Sequence, residues 1–384
     1  MKVLFIHGIG EVGGAERELL TYMDYLPSRG YEPTVICPER GPLRTALDAR
    51  GIRTFGAAFP PWRKLAGIWK RFPSVWALRT LIGELQPDLV HVNEFWWVPQ
   101  TLRAIPRNRK GMLPLVAHFR QDLPGEKVSQ YELAEVADVC AVSEQVAGTL
   151  RRAGLDANRV HVLHSGLAQT WLERSDGSLR ARVRGELGLS DDDLVLATVA
   201  HLFERKGYEV ALRALHRIVQ AGLPAHYLIV GTGDPGYERR LRELCRELRI
   251  GPRVHFVGFR DDVRACLEAA DLYTQPSLME GFGISVLEAM ACGRAVVASR
   301  TGGVSDSVVE NVTGLLVPPG DVDRLARACC ELLHDEARRT SMGTAGRRRV
   351  IKCFSVERMM SGLTAVYGAA AQRAAGSVPV LMPS

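Results

Sequence analysis

Long apolar runs are missing from this chain of 384 residues. No stretch reaches the roughly 18 consecutive apolar residues of a membrane-spanning helix, so no segment reads as one. Paired cysteines are missing as well. The eight cysteines form no C-x-x-C pair, and several, such as Cys37, Cys140 and Cys292, fall in apolar runs. That usage excludes a disulfide framework and reads as reduced core thiols of a cytoplasmic protein. No His and Cys cluster has metal-ligand spacing, so no metal is expected. Asp321-Val322-Asp323 has D-x-D form, but Asp321 stands where a helix start favours an acid for its own reasons. The net charge of +6 is mild over so long a chain. It suits anionic ligands or an acidic membrane surface, and without an OB or RRM pattern it does not argue for nucleic acid. The opening M-K-V-L-F-I-H-G lacks the length and cleavage site of a signal peptide.

What is present is ordinary for a globular protein: 46% hydrophobic and 24% charged residues. The length suggests two domains, each able to bury a core. Short apolar runs alternate with helical patterns. Val3–His7, Thr34–Cys37, Leu89–Asn93, Leu115–His118, Val139–Val142 and Val160–Leu163 read as strands, with Val75–Leu85 and Gln145–Arg152 among the helices between them. The alternation predicts an α/β, doubly wound parallel sheet, whose ligands sit at the carboxyl ends of strands. That rule selects Gly13, Gly14, Asn93, Glu94, His118 and Ser143.

The most informative stretch is Ser277 to Gly293, S-L-M-E-G-F-G-I-S-V-L-E-A-M-A-C-G. Strand-like Asp271–Pro276 precedes it, strand-like Arg294–Ser299 follows it, and Ile284–Cys292 has helical spacing. Glu280-Gly281-Phe282-Gly283 therefore falls at a strand-to-helix turn. Its glycines admit a ligand close to the backbone, and the free amides of the helix start favour an anion. Glu280 and Glu288 stand about two turns apart, roughly on one face. Amides for phosphate beside carboxylates for hydroxyls suit a nucleotide-sugar. The plainer alternative is a capped helix with two solvated glutamates.

Gly8, Gly10 and Gly13 match G-x-G-x-x-G, with Glu39 after the next apolar run. Gly231, Gly233 and Gly236 repeat the pattern. Taken alone, these are dinucleotide fingerprints, and an NAD-dependent oxidoreductase is the rival reading. No Tyr-x-x-x-Lys pair accompanies them. Between Ser165 and Asp193 the chain turns polar, placing a domain boundary near Gly166–Thr170. Strand-like Leu194–Ala200 is followed by His201-Leu202-Phe203-Glu204-Arg205-Lys206-Gly207, a basic strand-to-helix loop suited to clamping phosphate. Helix Asp262–Ala270 is expected to be capped by Asp261, and Thr301-Gly302-Gly303 to offer backbone to a ligand. Phe59 to Trp76 interleaves three tryptophans with four basic residues. That suits either an anionic membrane surface or a carbohydrate acceptor, against a plain packed loop.

Glu280-x7-Glu288 around Gly-Phe-Gly, Arg205-Lys206-Gly207, the Gly13-Gly14 loop, Gly314-Leu315-Leu316-Val317-Pro318-Pro319-Gly320-Asp321 and Gly231-x-Gly233 together resemble the retaining glycosyltransferases of family four. The resemblance spans nearly the whole chain. It implies the GT-B fold: two Rossmann-like domains facing a central cleft, with the last helix, Ser355–Ala371, crossing back to the first. Residues 1–166 with 355–384 would be the acceptor-binding domain, and 167–354 the nucleotide-sugar domain. It further implies transfer of a hexosyl or N-acetylhexosaminyl group from a UDP- or GDP-sugar, with no resident cofactor and no metal. The acceptor would be a hydroxyl of a lipid-linked glycan, oligosaccharide or small molecule, on the cytoplasmic side of a membrane. Lys206 would bind the diphosphate, Glu288 the ribose and Glu280 the sugar hydroxyls. Amides of Phe282, Gly283 and Ile284 would meet sugar or phosphate, Gly13 and Gly14 would approach from the other domain, and His118 would sit beside the sugar. Gly258 and His201 complete the expected donor-binding set. The chain departs from the family at His201, where an arginine is usual, so Arg205 would supply that charge. It departs again at Ser165-Gly166-Leu167-Ala168, usually Asn-Gly-Val-Asp. A nucleotide-sugar epimerase of the same fold, glycosylation of a small secondary metabolite and a carbohydrate-binding module without turnover are further alternatives.

Overall fold

A computed structural model describes residues 1–60, 68–106, 113–121, 125–173 and 177–376. The chain forms two compact units, Met1–Ser165 with Glu357–Ser384, and Gly166–Val356. Both are parallel sheets flanked by helices, as the strand and helix alternation predicts.

The first unit has seven strands: β1 (Lys2–Ile6), β2 (Glu32–Cys37), β3 (Arg53–Gly56), β4 (Leu89–Val92), β5 (Leu115–Phe119), β6 (Asp138–Ala141) and β7 (Val160–Val162). Their order is β3-β2-β1-β4-β5-β6-β7. The winding reverses between β1 and β4, so the loops leaving these two strands diverge and leave a crevice at their carboxyl ends. Strands β4, β5 and β6 are buried throughout, which is why they read as near-continuous apolar runs. The helix Val356–Gly376 returns to this unit. Tyr367 Oη lies 2.7 Å from His91 Nδ1, and Arg373 pairs with the buried Asp138.

The second unit has six strands: β8 (Leu194–Val199), β9 (Ala225–Val230), β10 (Val254–Gly258), β11 (Leu272–Gln275), β12 (Ala295–Ser299) and β13 (Gly314–Val317). Their order is β10-β9-β8-β11-β12-β13, with the reversal between β8 and β11. A large apolar core on one side of this sheet is built from Tyr208, Leu212, Leu215 and Ile218 of one helix with Leu325, Cys329 and Leu332 of another, against Tyr227, Ile229 and Val297 of the strands.

The eight cysteines are free thiols. Among the described residues, no helix is long and apolar enough to cross a membrane, and no group of His, Cys, Asp and Glu could hold a metal ion. Asp321 caps the helix Val322–His334, its carboxylate accepting from Arg324 N at 2.9 Å. The expected cap at Asp261 is corrected: the helix is Val263–Ala269 with Asp262 at its N-cap, making no side-chain cap. Asp262 is instead drawn to Arg260 and Arg182, and charge-assisted bonds to two guanidiniums outcompete a single backbone amide.

Candidate active site

In the second unit the loops leaving β8 and β11 meet at the reversal of strand order. The first loop ends in the turn Glu204–Lys206, followed by Gly207 at φ +71°. Leu278 N donates to Arg205 O at 2.8 Å, tying the loops together. A Cβ at position 207 would lie 1.9 Å from the Pro276 carbonyl oxygen, so only glycine permits this approach. The junction holds Lys206 over the second loop. Its Nζ donates to Glu280 Oε2 at 2.7 Å, with the two side chains only 12% and 8% exposed. The same oxygen accepts from Gln275 Nε2 and Ser277 Oγ, each at 3.0 Å. Gln275 is itself fixed by Tyr273 Oη, which donates to Gln275 Oε1 at 2.5 Å. The carboxylate is thus oriented by three donors at one oxygen.

Behind this turn stands Thr301-Gly302-Gly303. A Cβ on Gly302 (φ +52°) would lie 2.0 Å from the Glu280 carbonyl oxygen, and Gly303 N donates to Gly281 O at 2.8 Å. This segment buttresses Glu280-Gly281. Gly283 (φ +83°) is the N-cap of the helix Ile284–Ala291 and supplies no capping side chain. The first amides, including Ile284 N, therefore start a helix that no side chain closes at its N-cap. Glu288 lies buried within that helix, 8% exposed.

Arg205 and His201 are exposed. The Arg205 guanidinium lies 5.8 Å from the Phe203 ring centroid and makes no ion pair among the described residues. His201 Nδ1 lies 3.4 Å from Thr232 O. Gly258 has φ +70° with open space where a side chain would be, and Phe259 after it is exposed.

Both glycine loops are engaged internally. Cβ atoms at Gly231 and Gly233 would lie 2.2 Å from the carbonyl oxygens of Ala200 and Leu202. Those glycines serve loop packing, and the helix Pro235–Glu247 behind them is capped by Asp234. In the first unit Gly13 is the N-cap of the helix Gly14–Tyr25. Its amide donates to Glu16 Oε2 at 2.8 Å. A carboxylate already occupies the amide that a pyrophosphate would need in a dinucleotide fold. The structure therefore gives the oxidoreductase reading no open phosphate cradle in either loop.

Around the β1–β4 reversal lies a buried polar chain. His7 Nε2 is 2.8 Å from Glu16 Oε1, and Asn93 Nδ2 is 3.0 Å from His7 Nδ1. Arg120 Nη2 donates to Asn93 Oδ1 at 2.8 Å, and Arg120 also pairs with Glu18, which accepts from Tyr22 and Ser165. Burial acts to raise the Glu16 carboxyl, but hydrogen bonds from His7 and Gly13 outweigh it and hold it below the usual value. Glu94, 7% exposed, is pushed up to about 7, chiefly by burial, against the opposing pull of Arg120.

His118 does not match the expected sugar-facing position. The register places Phe5, His91 and His118 on one face of the sheet, where the His118 ring lies 6.5 Å from Tyr22 and 5.7 Å from His91. It is fully buried, and neither ring nitrogen has a partner. Burial, then Arg120, holds its pKa well below normal, so it is neutral. β5 runs one residue beyond it, and alternation turns it into the core. Arg120, just past the strand end, is the charged group there. Ser143 is a cap, accepting from Val146 N at 3.3 Å. Glu16, Glu18 and Arg120 were not among the selected residues. Their sequence signal was faint: acids at a helix start and one arginine after a strand.

The model of the group 1 glycosyl transferases matches residues 180–349, and that of glycosyltransferase family 4 matches residues 12–168. The chain belongs to this family of glycosyltransferases. It is 34% identical over 255 residues to the GDP-mannose-dependent monoacylated alpha-(1-6)-phosphatidylinositol monomannoside mannosyltransferase of Corynebacterium glutamicum, an alignment covering 63% of this chain and 65% of that one. It is 28% identical to the lipopolysaccharide core biosynthesis glycosyltransferase LpsE of Rhizobium meliloti, covering 93% of this chain and 96% of the relative. Among solved structures, Anabaena HepE in complex with UDP superposes with a TM-score of 0.83 at 25% identity, covering 96% of this chain and 100% of HepE.

Proposed function

We propose that the chain transfers a sugar from a UDP- or GDP-sugar to a hydroxyl acceptor, without metal and with retention of anomeric configuration. The observation that carries this reading is the Lys206–Glu280 pair at the β8–β11 reversal. It sets a cation for the diphosphate directly beside a carboxylate for sugar hydroxyls, next to the start of the helix Ile284–Ala291. Arg205, unpaired and exposed, adds a second cation that can swing onto phosphate. Glu288 takes the ribose, with His201 and Gly258 at the edge of the donor site. The leaving diphosphate gains charge as the glycosidic bond breaks, and preorganised cations and amides stabilise it most at that moment. The departing oxygen then takes the acceptor proton on the same face, so no enzyme nucleophile is required. UDP bound in the HepE structure and GDP-mannose in the name of the Corynebacterium relative support a nucleoside-diphosphate donor. In the first unit, Glu94 and Arg120 stand near the strand reversal, where an acceptor hydroxyl would be received. A glycolipid or surface-polysaccharide acceptor accords with the names of the relatives.

Thermal melting with UDP, GDP and NAD tests the donor class. A rise in Tm with one nucleoside diphosphate is expected. Stabilisation by NAD with no response to UDP or GDP would overturn the reading.

A further inference from the structure

At the amino ends of β11 and β12, on the opposite edge of the second sheet from Lys206 and Glu280, lies a cavity of about 230 Å³. Its lining includes Arg180, Arg264, Arg294 and Arg347, with the carboxylates Glu173 and Glu268. Two of these arginines are neutralised: Arg180 pairs with Asp271 at 2.7 Å and Arg264 with Glu268 at 2.9 Å. Among the described residues, Arg294 and Arg347 make no ion pair. They are held by main-chain carbonyls alone. Arg294 Nε donates to Cys292 O at 3.0 Å and its Nη1 to Ala270 O at 2.9 Å, which leaves Nη2 unused. Arg347 reaches Ala291 O through Nη1, and Leu172 O and Glu173 O through Nη2, which leaves Nε unused among the described residues.

Carbonyl dipoles orient a guanidinium but supply no counter-charge. Burial depresses the pKa of Arg294 from its ordinary value, and with Arg180 outweighs the opposing pull of Cys292, Asp271 and Glu268. Two guanidiniums with spare N–H donors thus line a recess whose wall also carries Glu173. The recess is smaller than the roughly 300–1,000 Å³ of a typical ligand pocket, too small for a nucleotide. Guanidinium forks match the oxygens of a tetrahedral anion. We propose that this cavity is an anion site for one phosphate group, held between Arg294 and Arg347. The group is either free phosphate or the phosphate of a small phosphomonoester. The site goes beyond the donor site, and neither depends on the other.

Calorimetric titration of the full chain with inorganic phosphate at fixed ionic strength tests it, with glycerol phosphate as a second arm. Tighter binding of glycerol phosphate assigns the monoester, and equal or weaker binding assigns phosphate itself. Binding should persist in Lys206→Ala, which removes the cation of the donor site. It should weaken about tenfold or more in Arg294→Gln and in Arg347→Gln. No binding to the unaltered chain overturns the proposal, as does binding lost in Lys206→Ala but kept in Arg294→Gln. Should the arginine variants lose their native circular dichroism, crystals of the unaltered chain soaked in selenate decide. An anomalous peak in the cavity is expected, and a peak confined to the turn at Gly281–Ile284, or none, refutes the site.

Discussion

At the scale of single residues, the pairing of Lys206 with Glu280 sets the strongest expectations. Glu280 accepts from Lys206, Gln275 and Ser277 at one oxygen, leaving Oε1 to meet a ligand. Glu280→Gln keeps the shape but removes the charge, and strands a largely buried ammonium. Turnover is expected to fall on the order of 10²-fold, with donor affinity changed less. Lys206→Ala should lower turnover by a comparable factor while circular dichroism stays native. Single-turnover transfer assays measure both, and an active Lys206→Ala would end the diphosphate role. The sequence singles out these two residues as candidates from glycines and charges at strand-to-helix turns, and the structure brings them together. It misplaced His118, because whether a residue closes a strand or sits inside it depends on one further residue of pairing, here Phe119.

At the scale of elements, the site depends on two loops pressed together by glycine. Gly207→Ala puts a Cβ against the Pro276 carbonyl at a positive φ, a strain of roughly 1–3 kcal/mol. Urea denaturation should show a lowered midpoint, and the shifted Lys206 should weaken donor binding. Unchanged stability would mean the loops part without cost. The alternation of strands and helices, and with it the doubly wound fold, was readable from apolar runs and glycine punctuation. The use of each glycine was not. Gly231 and Gly233 have the spacing of a phosphate loop, yet they serve close packing against Ala200 and Leu202, a relation set by tertiary distance and not by spacing. Three-dimensional neighbours likewise decided the polar chain from Glu16 to Arg120, whose members are scattered over more than one hundred positions, with Arg120 standing 102 positions after Glu18.

At the scale of the whole molecule, four histidines are held neutral inside the two units. Burial lowers His91 to about 3 and holds His118 well below normal. Burial also lowers His226 and His255, which lie 2.9 Å apart across neighbouring strands. Unfolded, each would take up a proton near its ordinary value of 6.5. The unfolded chain therefore binds more protons below that pH; Glu94, raised to about 7, acts in the opposite direction, but one carboxyl is outweighed by four imidazoles, and stability falls as pH drops from 6.5 toward 3. The urea midpoint should be steady above pH 7 and decline by pH 5. A midpoint flat across that range would refute the assignment. A second whole-molecule expectation concerns surfaces. Of the Phe59 to Trp76 stretch, residues 61–67 lie outside the described residues. On the helix Ile68–Leu85, Phe72 and Trp76 are one turn apart and 78% and 70% exposed. Together with the basic residues that the sequence places in this stretch, they suit an anionic lipid surface. Sedimentation with phosphatidylglycerol vesicles should pellet the chain, and Phe72→Ser with Trp76→Ser should release it. A chain that stays in the supernatant would favour a soluble acceptor.

The Lys206–Glu280 contact has one more consequence. Before a donor arrives, each of these charges is the other's counter-ion. A lone phosphate could draw Lys206 away, but it would leave Glu280 with an unmatched charge. A lone sugar could hydrogen-bond Glu280, but it would offer Lys206 nothing. A sugar joined to a phosphate can satisfy both partners at once. On the proposed function the contact works as a coincidence detector: phosphate alone and a free sugar alone each meet half of the requirement and are expected to compete poorly with the donor.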